Sequence, residues 1–345
     1  MFLRNRWYVG AMSDEIGDRP LARTVLDEPV VFFRDSSGAA IALEDRCVHR
    51  QAPLSLGDVV GDTLQCAYHG LCFDRAGDCV RVPSQKKIPP GARVKSYPVA
   101  ERYGVIFLWL GDAGVADATA PYKFGWDDSD AFRMMHARLD AAFDYRLLID
   151  NLMDVTHLPF AHKTTIGTAA VADNFTARTE RLEDGVRISR WMENIDQAPA
   201  HVEVTGYDGK VDRWQIITYT PPGFVWLQVG SARAGAGGRD ATGDDLLIDR
   251  NTVHSLTPET ENSAHYFWIT SHKAGAMTAE QEQTIYDRSV EAFNEDLVII
   301  EGQAARLDAT IPTIDVTADA AAIAARQLLA RLIDAEAKQG LSVAS

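Results

Sequence analysis

Apolar and polar positions divide the chain into two textures. From Trp7 to about residue 112 the apolar runs are short and bounded by turns. VVFFRDSSGAAIAL (30–43) places two runs either side of a Ser-Ser-Gly turn, and GVIFLWLGD (104–112) closes the region. Short runs rich in β-branched and aromatic residues, separated by turn formers, predict a small all-β domain. AGVADATAPYKFG (113–125) is small, polar and proline-containing, which suits a connector. Beyond it the periods mix. DYRLLIDNLMDVTHL (144–158) has helical spacing, whereas RISRWMENI (187–195), RWQIITYTPPGFVWLQVGSA (213–232) and NSAHYFWITSH (262–272) alternate apolar and polar residues as half-buried antiparallel strands do. Two helical stretches follow, about 279–306 and 318–338, separated by a Thr-Ile-Pro-Thr break. The expectation is an α+β chain: an all-β domain over 1–115 and a domain of antiparallel sheet and helices over 116–345.

At 345 residues, two domains are the natural division, and 46% apolar with 24% charged residues suits a folded globular protein. Lysine and arginine number 34 against 49 acidic residues, a net charge of −15. Nucleic acid and anionic membrane surfaces are disfavoured by repulsion, and a basic redox partner would be attracted. The first twenty residues lack a sustained apolar segment with a small-residue cleavage site, and nothing approaches the roughly 18 consecutive apolar residues of a spanning helix. A cytoplasmic protein is expected.

All four cysteines (47, 66, 72 and 79) fall within the first third. Such local clustering points to metal rather than to a disulfide framework. Two segments each offer one thiol and one imidazole: Cys47-x-His49 in CVHRQAPLS and, after sixteen intervening residues, Cys66-x-x-His69 in CAYHG. A [2Fe–2S] centre of Rieske type takes two cysteines on one iron and two histidines on the other. A structural Cys₂His₂ zinc site has the same inventory but generally runs Cys, Cys, His, His, whereas this chain alternates. Cys72 and Cys79 are then expected to be small buried apolar residues.

These segments, preceded by NRWYVGAM, resemble the N-terminal domain of Rieske non-haem iron aromatic oxygenases. The Rieske proteins of respiratory complexes brace their two loops with an extra disulfide. The corresponding positions here are Ala52 and Tyr68, so the resemblance implies no such bridge.

An electron carried to a cluster needs a destination, and NLMDVTHLPFAH (151–162) offers one. Asp154 and His157 are spaced to share a helix face, while His162 would lie about 140° around an unbroken helix from His157. Pro159 is expected to break the helix and let His162 turn back. Two histidines and one carboxylate form the facial triad of Fe(II) sites that activate O₂. Along QTIYDRSVEAFNEDLVIIEGQ (283–303), Asp296 falls within the apolar stripe of Ile285, Ser289, Ala292 and Ile300, and a buried carboxylate there calls for a partner such as a metal ion. Glu291 and Glu295 fall off that face. The candidate iron ligands are His157, His162 and Asp296. The alternative is that the histidines lie on the surface and Asp296 meets a neighbouring arginine.

The resemblance extends here, because the iron motif of these oxygenases, D-x-x-H-x₄-H, is matched by Asp154, His157 and His162. It implies that Asp154 bridges a cluster histidine (His69) of one subunit to an iron histidine (His157) of the next in a homotrimer. A residue that merely orients His157 is the plainer reading of Asp154. The phrases DYRLLIDNLMDVTH, MENI, VDRWQIITYTPP and HSLTPET are similar to vanillate O-demethylase oxygenase components. That similarity implies O₂ chemistry fed by a separate NAD(P)H-dependent flavin and [2Fe–2S] reductase, with an aryl methyl ether split to a phenol and formaldehyde through a hemiacetal. Methyl-group or ring hydroxylation of an aromatic sulfonate or carboxylate, or N-demethylation, are the alternatives. An electron carrier without a catalytic iron and a zinc-stabilised binding module are further ones.

Substrate residues are the least legible. By resemblance to the dicamba demethylase, Gln228 and His254 align with positions that contact substrate, with Gln228 in place of an asparagine and Asp287 where an aromatic residue is expected. Arg213 is a candidate partner for a substrate carboxylate, a surface strand arginine being the plainer reading.

Overall fold

The computed structural model describes residues 1–116, 119–126, 129–168 and 177–343. It divides into two compact units, one of residues 1–123 with 257–265, the other of residues 124–256 and 266–345. The α+β expectation is met. The first unit carries the strands β1 (Trp7–Met12), β2 (Leu21–Val25), β3 (Glu28–Arg34), β4 (Ala40–Glu44), β5 (Asp58–Val60), β6 (Thr63–Gln65), β7 (Cys72–Phe73), β8 (Cys79–Arg81), β9 (Ser96–Tyr97), β10 (Val99–Arg102) and β11 (Val105–Trp109), then a helical turn, α1 (Ala113–Ala116). They form three small sheets, ordered β1-β11-β10, β2-β3-β4-β9 and β5-β6-β7-β8. Val31, Phe33, Leu43, Leu54, Leu64 and Phe73 pack into one core together with Cys47, Cys66 and Cys79. The two cysteine loops thus leave the sheets from a buried apolar base.

The second unit is organised on a seven-stranded sheet. Its strands are β12 (Phe132–Ala141), β13 (Ala177–Arg181), β14 (Val186–Asp196), β15 (Lys210–Thr220), β16 (Phe224–Arg233), β17 (Leu246–Thr260) and β18 (Ser263–Lys273), in the spatial order β12-β18-β17-β16-β15-β14-β13. From β13 to β17 each neighbour is antiparallel to the next. Side chains alternate across a strand, so every second residue of β15, β16 and β17 reaches one common face.

Five helices accompany the sheet among the described residues: α2 (Tyr145–Met153), α3 (Leu158–Ala161), α4 (Pro199–Thr205), α5 (Ala279–Ala304) and α6 (Ala320–Val343). α5 begins with a capping box in which Thr278 Oγ1 accepts from Gln281 N–H and Gln281 Oε1 accepts from Thr278 N–H. Its buried residues are Ile285, Ser289, Ala292, Phe293, Asp296, Leu297 and Ile300, the stripe expected from the sequence with a carboxylate inside it. None of the described helices is long and apolar enough to cross a membrane.

One departure from expectation matters for function. α2 stops at Met153, before either histidine, and Asp154 is its C-cap in extended backbone (φ −105°, ψ 120°). Asp154 Oδ1 accepts from the backbone N–H and the hydroxyl of Thr156, both at 2.7 Å. Such a local side-chain bond competes with helix continuation. Asp154 and His157 therefore lie on a break and not on one helix face. Pro159 stands near the start of α3, where its missing N–H costs nothing, so it opens a new turn and does not end the old one.

Close packing on the sheet gives a stability prediction. Gly230 on β16 faces Trp214 across the β15 pairing, and a Cβ there would fall 1.9 Å from the indole and 2.7 Å from Ile248 O. Gly230→Ala is expected to lose about 1–3 kcal/mol of stability through overpacking, read as a lowered urea midpoint.

Candidate active site

The first unit presents two loops of matching geometry. In one, Cys47 N–H bonds to Ala52 O and Gln51 N–H to Cys47 O; in the other, Cys66 N–H bonds to Leu71 O and Gly70 N–H to Cys66 O. The fourth residue after each cysteine has left-handed backbone, φ 58° at Gln51 and 70° at Gly70. At Gly70 a Cβ would also press against Pro83 at 3.0 Å, so a side chain there is disfavoured by both backbone and packing. Each loop buries its cysteine and exposes its histidine. The imidazoles of His49 and His69 meet edge to face with centroids 4.4 Å apart. Burial pushes the Cys47 thiol up, and the neighbouring Cys66 sulfur adds to the shift. A metal that takes the thiolates removes that penalty. Two inner sulfurs and two outer nitrogens from twin loops fit a [2Fe–2S] cluster with one iron of each kind. Cys72 and Cys79 are free and buried.

In the second unit the break after α2 and the end of α3 bring His157 and His162 to Asp296 on α5. Asp296 Oδ1 lies 3.5 Å from His157 Nε2 and 3.2 Å from His162 Nε2. Each of the three offers a ligand atom within 4.8 Å of the others. His162 and Asp296 are buried, and the two rings are inclined at 68°. Burial makes His157 a weaker base; at His162 burial is outweighed by Asp296 and Glu295, which raise its proton affinity. Two nitrogens and one carboxylate on one side of a point leave its other side open, the arrangement of a facial triad.

Three residues around this group were not anticipated. Glu295 Oε2 lies 2.7 Å from His162 Nδ1 and accepts from Thr165 Oγ1 at 2.9 Å, which fixes the ring so that Nε2 faces inward. Asn151 Nδ2 donates to Asp296 Oδ1 at 3.0 Å. Glu295 falls off the apolar stripe of α5, so helical periodicity set it aside; its adjacency to Asp296 was the available signal. A residue that holds a ligand from outside the apolar face is invisible to hydrophobic patterning.

The group opens on a largely apolar cavity between α5 and the sheet. Ile217, Leu227, Val229 and Phe293 are among its walls, and so are Arg213 and His254 of the sequence candidates. Gln228 is not: strand alternation sends Leu227 and Val229 to the cavity and turns Gln228 to the other face. Arg213 is buried, not a surface residue. His254 Nδ1 is 2.7 Å from the Tyr266 hydroxyl, while Nε2 has no partner among the described residues. Its pKa is pushed down to about 3 by burial, with Arg250 adding and Asp296 opposing, so the ring is neutral.

Comparison with known proteins agrees with this geometry. Residues 6–98 match the Rieske [2Fe-2S] domain, and residues 141–335 match the vanillate O-demethylase oxygenase C-terminal domain. The toluene-4-sulfonate monooxygenase system iron-sulfur subunit of Comamonas testosteroni is 38% identical, covering 97% of this chain and 98% of that protein. The vanillate O-demethylase oxygenase subunit of a Pseudomonas species is 37% identical, covering 97% and 96%. Among solved structures, dicamba monooxygenase bound to 3,6-dichlorosalicylic acid superimposes with a TM-score of 0.91 at 31% identity, over 97% of this chain and 99% of that one.

The site predicts a graded response of metal binding. His157→Ala is expected to lose the mononuclear iron and keep the visible absorption of the cluster. Glu295→Ala should weaken the iron by about 10–100-fold without abolishing it. Iron analysis and Fe(II) titration of the reduced protein read both.

Proposed function

The chain belongs to the Rieske non-haem iron oxygenases with a catalytic domain of vanillate O-demethylase type, and on that premise we propose that it O-demethylates a methoxylated aromatic acid resembling vanillate. It is an oxidoreductase, the oxygenase component of a Rieske monooxygenase, with a [2Fe–2S] cluster and a mononuclear iron as cofactors. Relatives are named as oxygenase components, so a separate reductase supplies the electrons. In the proposed division, residues 1–115 carry electrons and residues 116–345 carry out the chemistry.

The observation that supports the reading best is the group of His157, His162 and Asp296 opening on an apolar cavity with cationic side chains in its wall. Cys47, His49, Cys66 and His69 would hold the cluster, and His157, His162 and Asp296 the iron. When bound, the two groups supply O₂ activation with electrons drawn from NAD(P)H through the reductase. The chain's own part is positioning. Glu295 takes the Nδ1 side of His162, leaving Nε2 to the metal, and Asn151 pins Asp296. The apolar walls keep water from the reacting methyl group and leave the ring to be held by its acid group. Hydroxylation of a methoxy carbon gives a hemiacetal, which collapses to phenol and formaldehyde.

Asp154 completes the reading. Its Oδ1 is engaged by Thr156, and no hydrogen bond of Oδ2 is made among the described residues. We assign that carboxylate to link His157 with His69 of a neighbouring copy in a homotrimer. A cytoplasmic setting is supported by Cys72 and Cys79, which stay unbridged thiols beside the two cysteines assigned to the cluster.

A second reading is favoured by one finding. The toluene-4-sulfonate relative is as similar as the vanillate one. Methyl-group hydroxylation of an aromatic sulfonate would use the same site and release no formaldehyde.

Two experiments separate these readings. With a generic flavin and [2Fe–2S] reductase, NADH and vanillate, formaldehyde is expected in near-stoichiometric ratio to NADH; NADH oxidation that yields peroxide alone would reject vanillate as a coupled substrate. Asp154→Asn is expected to keep both metals and lower coupled turnover at least tenfold, and wild-type turnover in that variant would remove the linking role.

A further inference from the structure

The cavity wall holds two arginines for which the sheet provides no acid. Arg213 on β15 is 2% exposed, and its Nη1 donates to Ile166 O at 3.2 Å. Among the described residues its Nε has no partner, and neither have Nδ1 of buried His201 nor Oε1 of buried Gln215, both of which line the same cavity. Arg250 on β17 is partly buried and donates through Nη1 to Ser289 Oγ at 3.2 Å. Among the described residues neither arginine forms an ion pair. The third arginine of the wall, Arg288, is already paired with Glu203 and Glu291. A buried guanidinium without a counter-ion is costly, and a chain of net charge −15 has no shortage of carboxylates to place beside it. Burial pushes both Arg213 and Arg250 down to about 10, so both remain cationic at neutral pH.

Register brings the pair together. Arg250 lies opposite Val229, which lies opposite Gln215, and Arg213 is the next residue of β15 on that face. The arginines are two strands apart, roughly 10 Å across the sheet, within reach of one ligand for side chains of their length. The Arg250 end is also placed relative to the metal group. Its partner Ser289 precedes Asp296 by about two turns on the same stripe of α5, roughly 10 Å along the axis. That interval accommodates one benzene ring with a substituent at each end.

We propose that Arg213 and Arg250 form an anion-binding end of the cavity, which seats the carboxylate or sulfonate of an aromatic substrate so that the methyl or methoxy group attacked lies para or meta to it. The inference rests on the oxygenase reading above and narrows it to a substrate geometry. An ortho-substituted acid presents both groups on one side of the ring and cannot span the two ends. His201, in the tautomer with its proton on Nδ1, supplies a neutral donor beside the cations, and Gln215 Oε1 is free to accept from a hydroxyl on the ring.

Calorimetric titration of the iron-loaded oxygenase tests this with four probes: 4-methoxybenzoate, 4-toluenesulfonate, neutral 4-methoxybenzamide and 2-methoxybenzoate. At least one para acid is expected to bind about tenfold or more tighter than the amide and than the ortho acid. In Arg250→Met and in Arg213→Met that advantage should vanish while amide binding persists. Should Arg213→Met fail to fold, Arg250→Met and the wild-type series decide. Para acids binding no tighter than the amide, or the ortho acid binding tightest, would overturn the proposal, as would variants that keep the acid preference. Formaldehyde assays on the same probes keep the two readings apart. Release from amide and acid alike preserves demethylation and sinks the anion end, whereas acid-selective binding without formaldehyde does the reverse.

Discussion

A carboxylate buried on an apolar helix face is the constraint on which the catalytic unit depends. Left alone, Asp296 would cost several kcal/mol or take up a proton. Its surroundings are arranged so that it is not left alone: two imidazole nitrogens approach one of its oxygens, and the Asn151 amide donates to that same oxygen. For His157 and His162 to reach it from one short segment, the chain must stop being a helix after Met153 and resume after His157. The Asp154–Thr156 turn supplies the stop and Leu158-Pro159 the restart. Local backbone chemistry thus serves a contact made about 140 residues away.

How far this was legible depends on what carries the signal. The twin Cys/His loops were legible as a pair, because spacing within a loop limits which atoms can meet, and the fold brings the imidazoles of His49 and His69 together. Asp296 was readable because a charge within an apolar stripe is an anomaly that needs a cause, and the helix formed as its periodicity demanded. The backbone from Asp154 to His157 was misread as helix. An i, i+3 spacing is as compatible with a capped break as with a helix, and the competition between an aspartate turn and a helical turn is settled by neighbours that spacing does not reveal. Glu295 and Asn151 escaped because they act on ligands from outside the hydrophobic pattern. Gln228 was placed by alignment, but strand alternation orients it away from the cavity.

The two units also handle exposure in opposite ways. The twin loops leave His49 and His69 exposed over buried cysteines, which is what an electron carrier needs, since transfer requires an edge close to a donor or acceptor outside the loop. The second site buries His162 and Asp296 and lines its opening with aliphatic and aromatic side chains, which is what oxygen chemistry needs to avoid loss to water. A pair of exposed imidazoles and a pair of sequestered ones are therefore different answers to the same ligand type. The fold decides which is which by placing one pair on loops beyond small sheets and the other between a sheet and a long helix.

Charge follows the same logic. The chain is strongly acidic overall, so a free aromatic acid meets net repulsion on approach, and any attraction must be local. The antiparallel sheet can provide that attraction because its period of two segregates neighbours: Asp212 and Asp249 lie beside Arg213 and Arg250 in sequence but point to the opposite face, leaving the guanidiniums in the cavity without them. A helix would not separate adjacent acid and base so cleanly. The sheet thus gives an acidic protein a cationic interior wall, and α5, whose Ser289 and Asp296 share one stripe, sets the spacing between that wall and the metal.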